Sequence, residues 1–423
     1  MKKYKCKIYL TALFCFVSFS GWAQEDSLAI YMLSAVRDNP AVIAEYHSYK
    51  SLAIACIGSG QLNDPEVNIG VFPKAMQHAD SKQILTVSVM QMFPWFGTLK
   101  AGRQMQEWKA EAAYQKFRED GIALVYDVQQ QWYDILATQE QIKSVQRNLK
   151  ILKDIEKTAL YQYKTAYGAK NARLSDQLRL QAEEARLDEQ IESLQDKEKL
   201  QRQQFNLLMH RSADSSLFFP DTMKLREMPI VDWPQLERDN PRLQQLLAQG
   251  KMYDAQADMV KGQGRPMIGI GLEYMLNGRV DMPVMPSMNG MDMLMPMLKV
   301  TLPIYRKKTE AGIKSARLMK ESTVFDYQRQ QDMLRSQYLS IEQQATDAKR
   351  EILLYNKEMN LLDRTLQLMM TEYANGTTSL TDILQTSREN IDYALKQFET
   401  QAKYNILVAE YEKLASKYDY VQK

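Results

Sequence analysis

Between Leu99 and about Tyr163 the chain contains no proline and only two glycines, Gly102 and Gly121, and an equivalent span runs from about Lys308 to Tyr373. At 1.5 Å per residue each would be a helix roughly 100 Å long, far beyond a typical globular element. A single compact core cannot cover such helices, so they need partners along their whole length. The second span supplies the pattern for one: Leu334, Tyr338, Ile341, Ala345, Ala348, Ile352, Tyr355, Met359, Leu362, Leu366, Met369 and Tyr373 follow in alternating steps of four and three, which is coiled-coil spacing. The first span follows the same rule through Val125, Val128, Trp132, Ile135, Gln139 and Ile142, then skips before Val145, Leu149 and Leu152. Shorter helices are predicted to return over Leu174–His210 and Leu380–Lys417, and two more, Leu28–Ile57 and Pro241–Lys261, precede strand signals. End to end, a returning helix of about 56 Å and a pre-strand helix of roughly 30–45 Å nearly match one long helix, as a wall of even height requires. The same periodicity also suits a dimeric coiled-coil rod.

These elements come twice. Asn39-Pro40 opens one copy and Asn240-Pro241 the other, 201 residues later. Prolines end the strand regions at Pro94 and Pro303, and the copies close on Phe205-Asn206-Leu207-Leu208 and Tyr404-Asn405-Ile406-Leu407. A repeat of this length is too long for a solenoid unit and fits a duplicated half-domain. The expected organisation is a leader over 1–23, a first repeat over 24–210, a proline-containing equatorial segment over 211–239, and a second repeat over 240–423.

Each copy holds two segments of period-two alternation. Val67, Ile69 and Val71 oppose Glu66, Asn68 and Gly70, and Leu85, Val87 and Val89 oppose Thr86 and Ser88. In the second copy Ile268, Ile270, Leu272 and Tyr274 oppose Gly269, Gly271 and Glu273, while Leu294, Leu298, Val300 and Leu302 oppose Lys299 and Thr301. One apolar and one polar or small face suits a transmembrane barrel strand, and equally an ordinary antiparallel sheet in a soluble domain. Four strands cannot close a barrel, so the first reading requires several chains.

Lys2, Lys3, Lys5 and Lys7 precede an apolar run from Ile8 to Phe19, and Gly21-Trp22-Ala23 supplies small residues for cleavage. This is the pattern of a secretory signal peptide with Gln24 as the mature start. Cys6 and Cys15 would leave with it, so Cys56 would stand alone without an internal disulfide. Loss of the four lysines turns a net charge of +2 into −2, which gives no electrostatic case for nucleic acid. No nucleophile–base set, phosphate loop or metal-spaced cluster marks an enzyme, and no cofactor is expected. Gly262, Gly264, Gly269 and Gly271 look superficially like a dinucleotide loop, but Arg265-Pro266 interrupts them and a strand follows.

The ordered motifs resemble the TolC-like outer-membrane efflux proteins over essentially the whole mature chain. They are the paired Asn-Pro openings, QMFPWFG (91–97), YANGTTSLTDIL (373–384), and AKYNIL (402–407) with its counterpart QQFNLL (203–208). The resemblance implies a mainly α fold with a small β part: a long coiled-coil tunnel, with four strands per chain contributing to the twelve-stranded transmembrane barrel of a homotrimer. It implies an outer-membrane location reaching into the periplasm, a periplasmic membrane-fusion adaptor, and an inner-membrane efflux pump. It places the tip gate at Tyr373, Gly376 and Asp382, although a helix-start Asp such as Asp382 is also a common solvated carboxylate. Adaptor docking would fall on two helical turns: Gly168, Leu174 and Asp176, then Asn375, Thr377 and Leu380. Thr378 stands where an arginine can hold the closed tip, and Gln385 where a second acidic ring can lie.

Between Met282 and Met297 lie seven methionines, and Met291, Met293, Met295 and Met297 are spaced by two. On a strand they would share the side of Lys299 and Thr301. Thioethers suit Cu(I) and Ag(I), whereas the chain has only three histidines, His47, His78 and His210. Methionine is also a flexible apolar filler, and packing is the competing account. The pattern is similar to the heavy-metal (CusC/CzcC-like) branch, which serves resistance-nodulation-division pumps. Multidrug efflux and type I secretion channels remain as alternatives, and a structural coiled-coil surface protein is a more distant one.

Overall fold

The computed structural model describes residues 26–77, 81–165, 174–230, 232–375, 377–418 and 420. The expected leader, Gly168 and Gly376 lie outside the described residues. In order, the elements are α1 (Asp26–Asp38), α2 (Pro40–Ser59), β1 (Glu66–Gln77), β2 (Lys82–Phe93), α3 (Thr98–Thr165) and α4 (Leu174–Leu208). Then follow α5 (Trp233–Asp239), α6 (Pro241–Gln263), β3 (Met267–Gly278), β4 (Met293–Thr301), α7 (Arg306–Ala374) and α8 (Leu380–Leu414). The fold is therefore mainly helical with one small antiparallel sheet, and α3 and α7 have 68 and 69 residues.

The repeat markers act as helix starts and tethers. Asn39 is extended, and its Oδ1 accepts from Ala41 N at 2.9 Å. Pro40 follows at the first helical position, where its missing N–H costs nothing. The helix expected to run unbroken over Leu28–Ile57 is thus two helices. Asn240 repeats the arrangement, its Oδ1 accepting from Leu243 N at 3.2 Å. The closing asparagines are buried and therefore need partners. Asn206 Nδ2 donates to the carbonyls of Ala213 and Ser215, both at 2.9 Å. Asn405 Oδ1 accepts from Arg226 N at 2.9 Å, so each asparagine ties part of the connecting segment to a helix. That segment, expected only as a proline-containing connection, also contains α5. Pro234 sits in the first turn of α5, where proline is tolerated.

Gly97 has φ +87°, a left-handed conformation open to glycine, and its carbonyl accepts from Ala101 N at 2.9 Å. The Pro–aromatic–Gly run is therefore the connection that leaves β2 at Phe93 and starts α3 at Thr98.

The described chain divides into two compact units. One comprises residues 26–35, 128–224 and 355–402. Its core interleaves Val145, Leu149 and Leu152 with Leu180 and Leu187, Leu366, and Leu380, Ile383 and Ile391. It also holds an aromatic cluster of Tyr31, Trp132, Phe205 and Phe219. The other unit comprises residues 36–127, 225–354 and 403–420, with a core of Leu243, Leu334, Ile341, Ile352, Tyr404 and Val408, and the sheet. Every member of the heptad track from Leu334 to Tyr373 is buried or half-buried. No described helix is long and apolar enough to cross a membrane, a statement that does not bear on strands.

Candidate functional site

The sheet order is β1-β2-β3-β4, antiparallel throughout, so the hairpins of the two copies join through β2 and β3. Because side chains alternate, register decides the faces. Ile69, Val87, Tyr274 and Leu294 form one row; Val67, Val89, Leu272 and Pro296 form another. Ile268 with Val300 and Ile270 with Leu298 continue this apolar face, which is bare: Leu298 is 72% exposed. The opposite face carries the rows Gly70–Thr86–Met275–Met293, Asn68–Ser88–Glu273–Met295, and Glu66–Met90–Gly271–Met297. Met92, Gly269 and Lys299 form the next row, and Met267 with Thr301 ends the face. The alternation read from sequence thus extends coherently over all four strands.

The four regularly spaced methionines are not all on the strand. Met293, Met295 and Met297 lie on β4, but Met291 precedes it. The reason is local: Asp292 uses its carboxylate, not the ladder, to accept from Asn277 N at 3.0 Å and from the Tyr274 hydroxyl. The Met291 carbonyl accepts from Asn277 Nδ2 at 3.0 Å, closing the β3–β4 connection. The exposed Met282, Met285 and Met288 belong to that connection. Sequence reading missed Met90, Met92 and Met275, which register places on the same face as the β4 methionines.

The helical turns are brought together at their buried residues. Leu380 is buried in the core cluster and Tyr373 packs against it. Burial, and then the nearby Asp176 carboxylate, push the Tyr373 phenol upward, so a residue of the first turn sits beside one of the second. Arg179 donates to the Thr381 hydroxyl across the same pair of hairpins. Leu174 and Asp382 are exposed, with Asp382 in the first turn of α8. Asn375 N donates to the carbonyls of Thr371 and Glu372, and Thr377 donates to Glu372 O through both N and Oγ1 at 3.0 Å. The Thr378 hydroxyl bonds Glu372 Oε2 at 2.6 Å, so this position serves its own turn.

An arginine tie does exist, two helical turns away. Glu183 of α4, its side chain 5% exposed, accepts from Arg388 of α8 at 2.5–3.1 Å and from Arg186 at 2.5–2.9 Å. Burial alone would raise its pKa, but the hydrogen bonds from Arg388 and Arg186 outweigh it and hold the carboxyl below the usual range. Arg186 at three residues' distance was a local signal; Arg388, 205 residues away, had none.

No protein-family model matches the sequence, and no curated protein matches it significantly. Solved structures do match. The outer-membrane channel OprN is 14% identical, with a TM-score of 0.75 over 93% of this chain and 90% of that one. CusC, described for folding and transmembrane channel formation, is 14% identical with a TM-score of 0.75 over 94% and 95%. The outer-membrane protein VceC from Vibrio cholerae is 13% identical with a TM-score of 0.73 over 92% and 96%. The chain is similar to these channels in fold along nearly its whole length.

Proposed function

We propose that this chain is a TolC-like outer-membrane efflux channel. In this reading it is exported by a cleaved signal peptide and assembled as a homotrimer that conducts substrate passively from an inner-membrane pump and periplasmic adaptor to the outside, with no catalytic step. The observation that carries it is the sheet. One face is apolar but for Gln91 and largely exposed, and β1 and β4 are sheet ends, an arrangement that in water invites aggregation. Three copies joined edge to edge would remove the edges and turn the apolar face to lipid. The fold likeness to solved outer-membrane channels supports the same reading.

The tip gate is assigned to Tyr373, Gly376 and Asp382, and the docking turns to Gly168, Leu174, Asp176, Asn375, Thr377 and Leu380, where hairpin ends offer grooves for coiled-coil packing. The cargo proposed is a soft heavy-metal ion, Cu(I) or Ag(I), passing the methionines at 291, 293, 295 and 297. Outer-membrane detergent extracts should contain a heat-modifiable trimer, and Thr377→Cys should crosslink in cells to a cysteine on the adaptor's hairpin tip. A monomer in the soluble fraction would overturn the channel, and failure of every crosslink along both turns would overturn the docking assignment. Copper and silver tolerance falling with the quadruple Met→Leu variant, while dye efflux holds, separates metal from multidrug cargo.

A further inference from the structure

We propose that the non-lipid face of the sheet is a shared thioether surface for soft monovalent cations, built by both copies: Met90 and Met92 on β2, Met275 on β3, and Met293, Met295 and Met297 on β4. It rests on the channel reading, which turns this face to the lumen, and it adds strands that the β4 methionine run did not indicate.

The argument starts from segregation. Along the ladder from Leu85 to Phe93, with its partners from Ile268 to Leu276 and from Met293 to Val300, every Leu, Ile and Val falls on one face and every Met on the other. A methionine used as apolar filler substitutes freely for leucine, so it should occur on both faces. Here the side with no other aliphatic residue holds all the thioethers, among Thr86, Ser88, Glu273 and Lys299.

The glycines of β3 give these side chains their room. Met92 Sδ and Met90 Sδ lie 2.5 and 3.1 Å from where a Cβ on Gly269 would stand, so the sulfurs are no more than 5.6 Å apart. Met90 Sδ is also 3.0 Å from the corresponding point on Gly271. Met90, 8% exposed, therefore lies across the two glycines toward β4, where Met297 is the next residue in its row. Two carboxylates, Glu66 beside Met90 and Glu273 beside Met295, share the face and attract a cation without being soft ligands. Several loosely held thioethers in successive rows suit passage, since a conduit must release what it binds.

Gly269→Ala is the discriminating variant. Its Cβ would meet Met92 Sδ and Met90 Sδ, both on flexible side chains, and Lys299 Cβ at 3.2 Å, which need give only a few tenths of an ångström, whereas a Cβ on Gly271 would also meet the Val89 carbonyl at 2.8 Å. Gly269→Ala therefore moves the sulfurs and spares the ladder. The experiment uses the full mature chain in lipid nanodiscs with ¹³C-labelled methionine methyls, and Ag(I) as the probe. Ag(I), and not K⁺, should shift the Met90 and Met92 methyls together with those of Met293, Met295 and Met297. Met90→Leu with Met92→Leu should weaken Ag(I) binding in equilibrium dialysis by about tenfold or more, the order seen when a metal site loses supporting groups. Gly269→Ala should weaken it in the same direction with every methionine present and the oligomer intact. Shifts confined to the β4 methionines would overturn the shared face and leave metal passage standing. If no strand methionine responds in an assembled, conducting channel, soft-metal cargo fails as well. Shifts caused by a cationic amphiphile and not by Ag(I) would make the surface an adaptable apolar one instead.

Discussion

The two long helices are nearly equal in length, and their surfaces differ. Among the described residues of α3, only Ile151 is a large exposed hydrophobic, at 38%. On α7 the buried heptad track is accompanied by a second apolar set that none of the described residues covers: Leu318, Phe325, Leu339, Leu353, Leu361 and Leu368, with Leu353 at 70%. Most of their separations are multiples of seven, so they form a stripe down one side. The two helices are thus of nearly one length and have different obligations. The first finds its partners inside the chain, and the stripe of the second fits neighbouring copies in the proposed trimer.

The comparison is tested most severely by Leu353→Asp with Leu361→Asp. Each leucine buried between copies contributes roughly 1.5–3 kcal/mol, and the loss is repeated in every copy, so the oligomer should dissociate. Ile151→Asp on α3 should leave it intact. Size-exclusion with light scattering reads both, and an undiminished oligomer in the α7 variant would mean that the stripe faces something other than a second copy.

The strands, unlike the long helices, are used alike by both copies, and arginine substitution sharpens that contrast. Val87→Arg in the first copy and Ile270→Arg in the second should each cost about 2–4 kcal/mol near the bilayer midplane, whereas Thr86→Arg should alter conduction and spare assembly. Equal tolerance of both kinds in membrane-assembly assays would reverse the assigned faces.

The legibility of these features follows from the range of the interactions behind them. The α7 track was readable because its steps of four and three repeat over forty residues, and the apolar strand rows because alternation is local. The outer stripe on α7 was hidden because it is interrupted at Asp332 and Thr346 and lies beside a stronger track. Met90 and Met92 looked like the approach to a proline exit. Only the pairing of β2 with β3, which brings residues about 180 positions apart together, shows the face they share. Asp292 ended the methionine strand early through a side-chain bond that no period announces.

A third test concerns the tie between copies, with Glu183 on α4 and Arg388 on α8. The folded carboxyl is held below its ordinary value, so its stabilisation is complete above the unfolded pKa of about 4.3 and is lost as pH falls through the folded value. Charge-assisted bonds to a buried carboxylate contribute up to about 2 kcal/mol, discounted because Arg388 is half exposed. Glu183→Gln should therefore lower the thermal midpoint near pH 7 and make little difference near pH 3. A variant equally destabilised at both values would show that packing, not charge, matters there.

The smallest effect concerns the second of the two Asn-Pro openings. Both asparagines cap a helix, and replacing such a cap by alanine typically costs about 1 kcal/mol. Asn240 is buried, and its Nδ2 donates to the Leu414 carbonyl at 3.4 Å, joining α6 to the end of α8. Asn240→Ala removes the cap and leaves that buried carbonyl without this donor, so chemical denaturation should show a loss greater than that of a cap alone. Asp at this position keeps the accepting oxygen and removes the amide donor. Asn240→Asp should therefore recover only part of the alanine loss. Full recovery by aspartate would reduce the second Asn-Pro to a helix cap and nothing more.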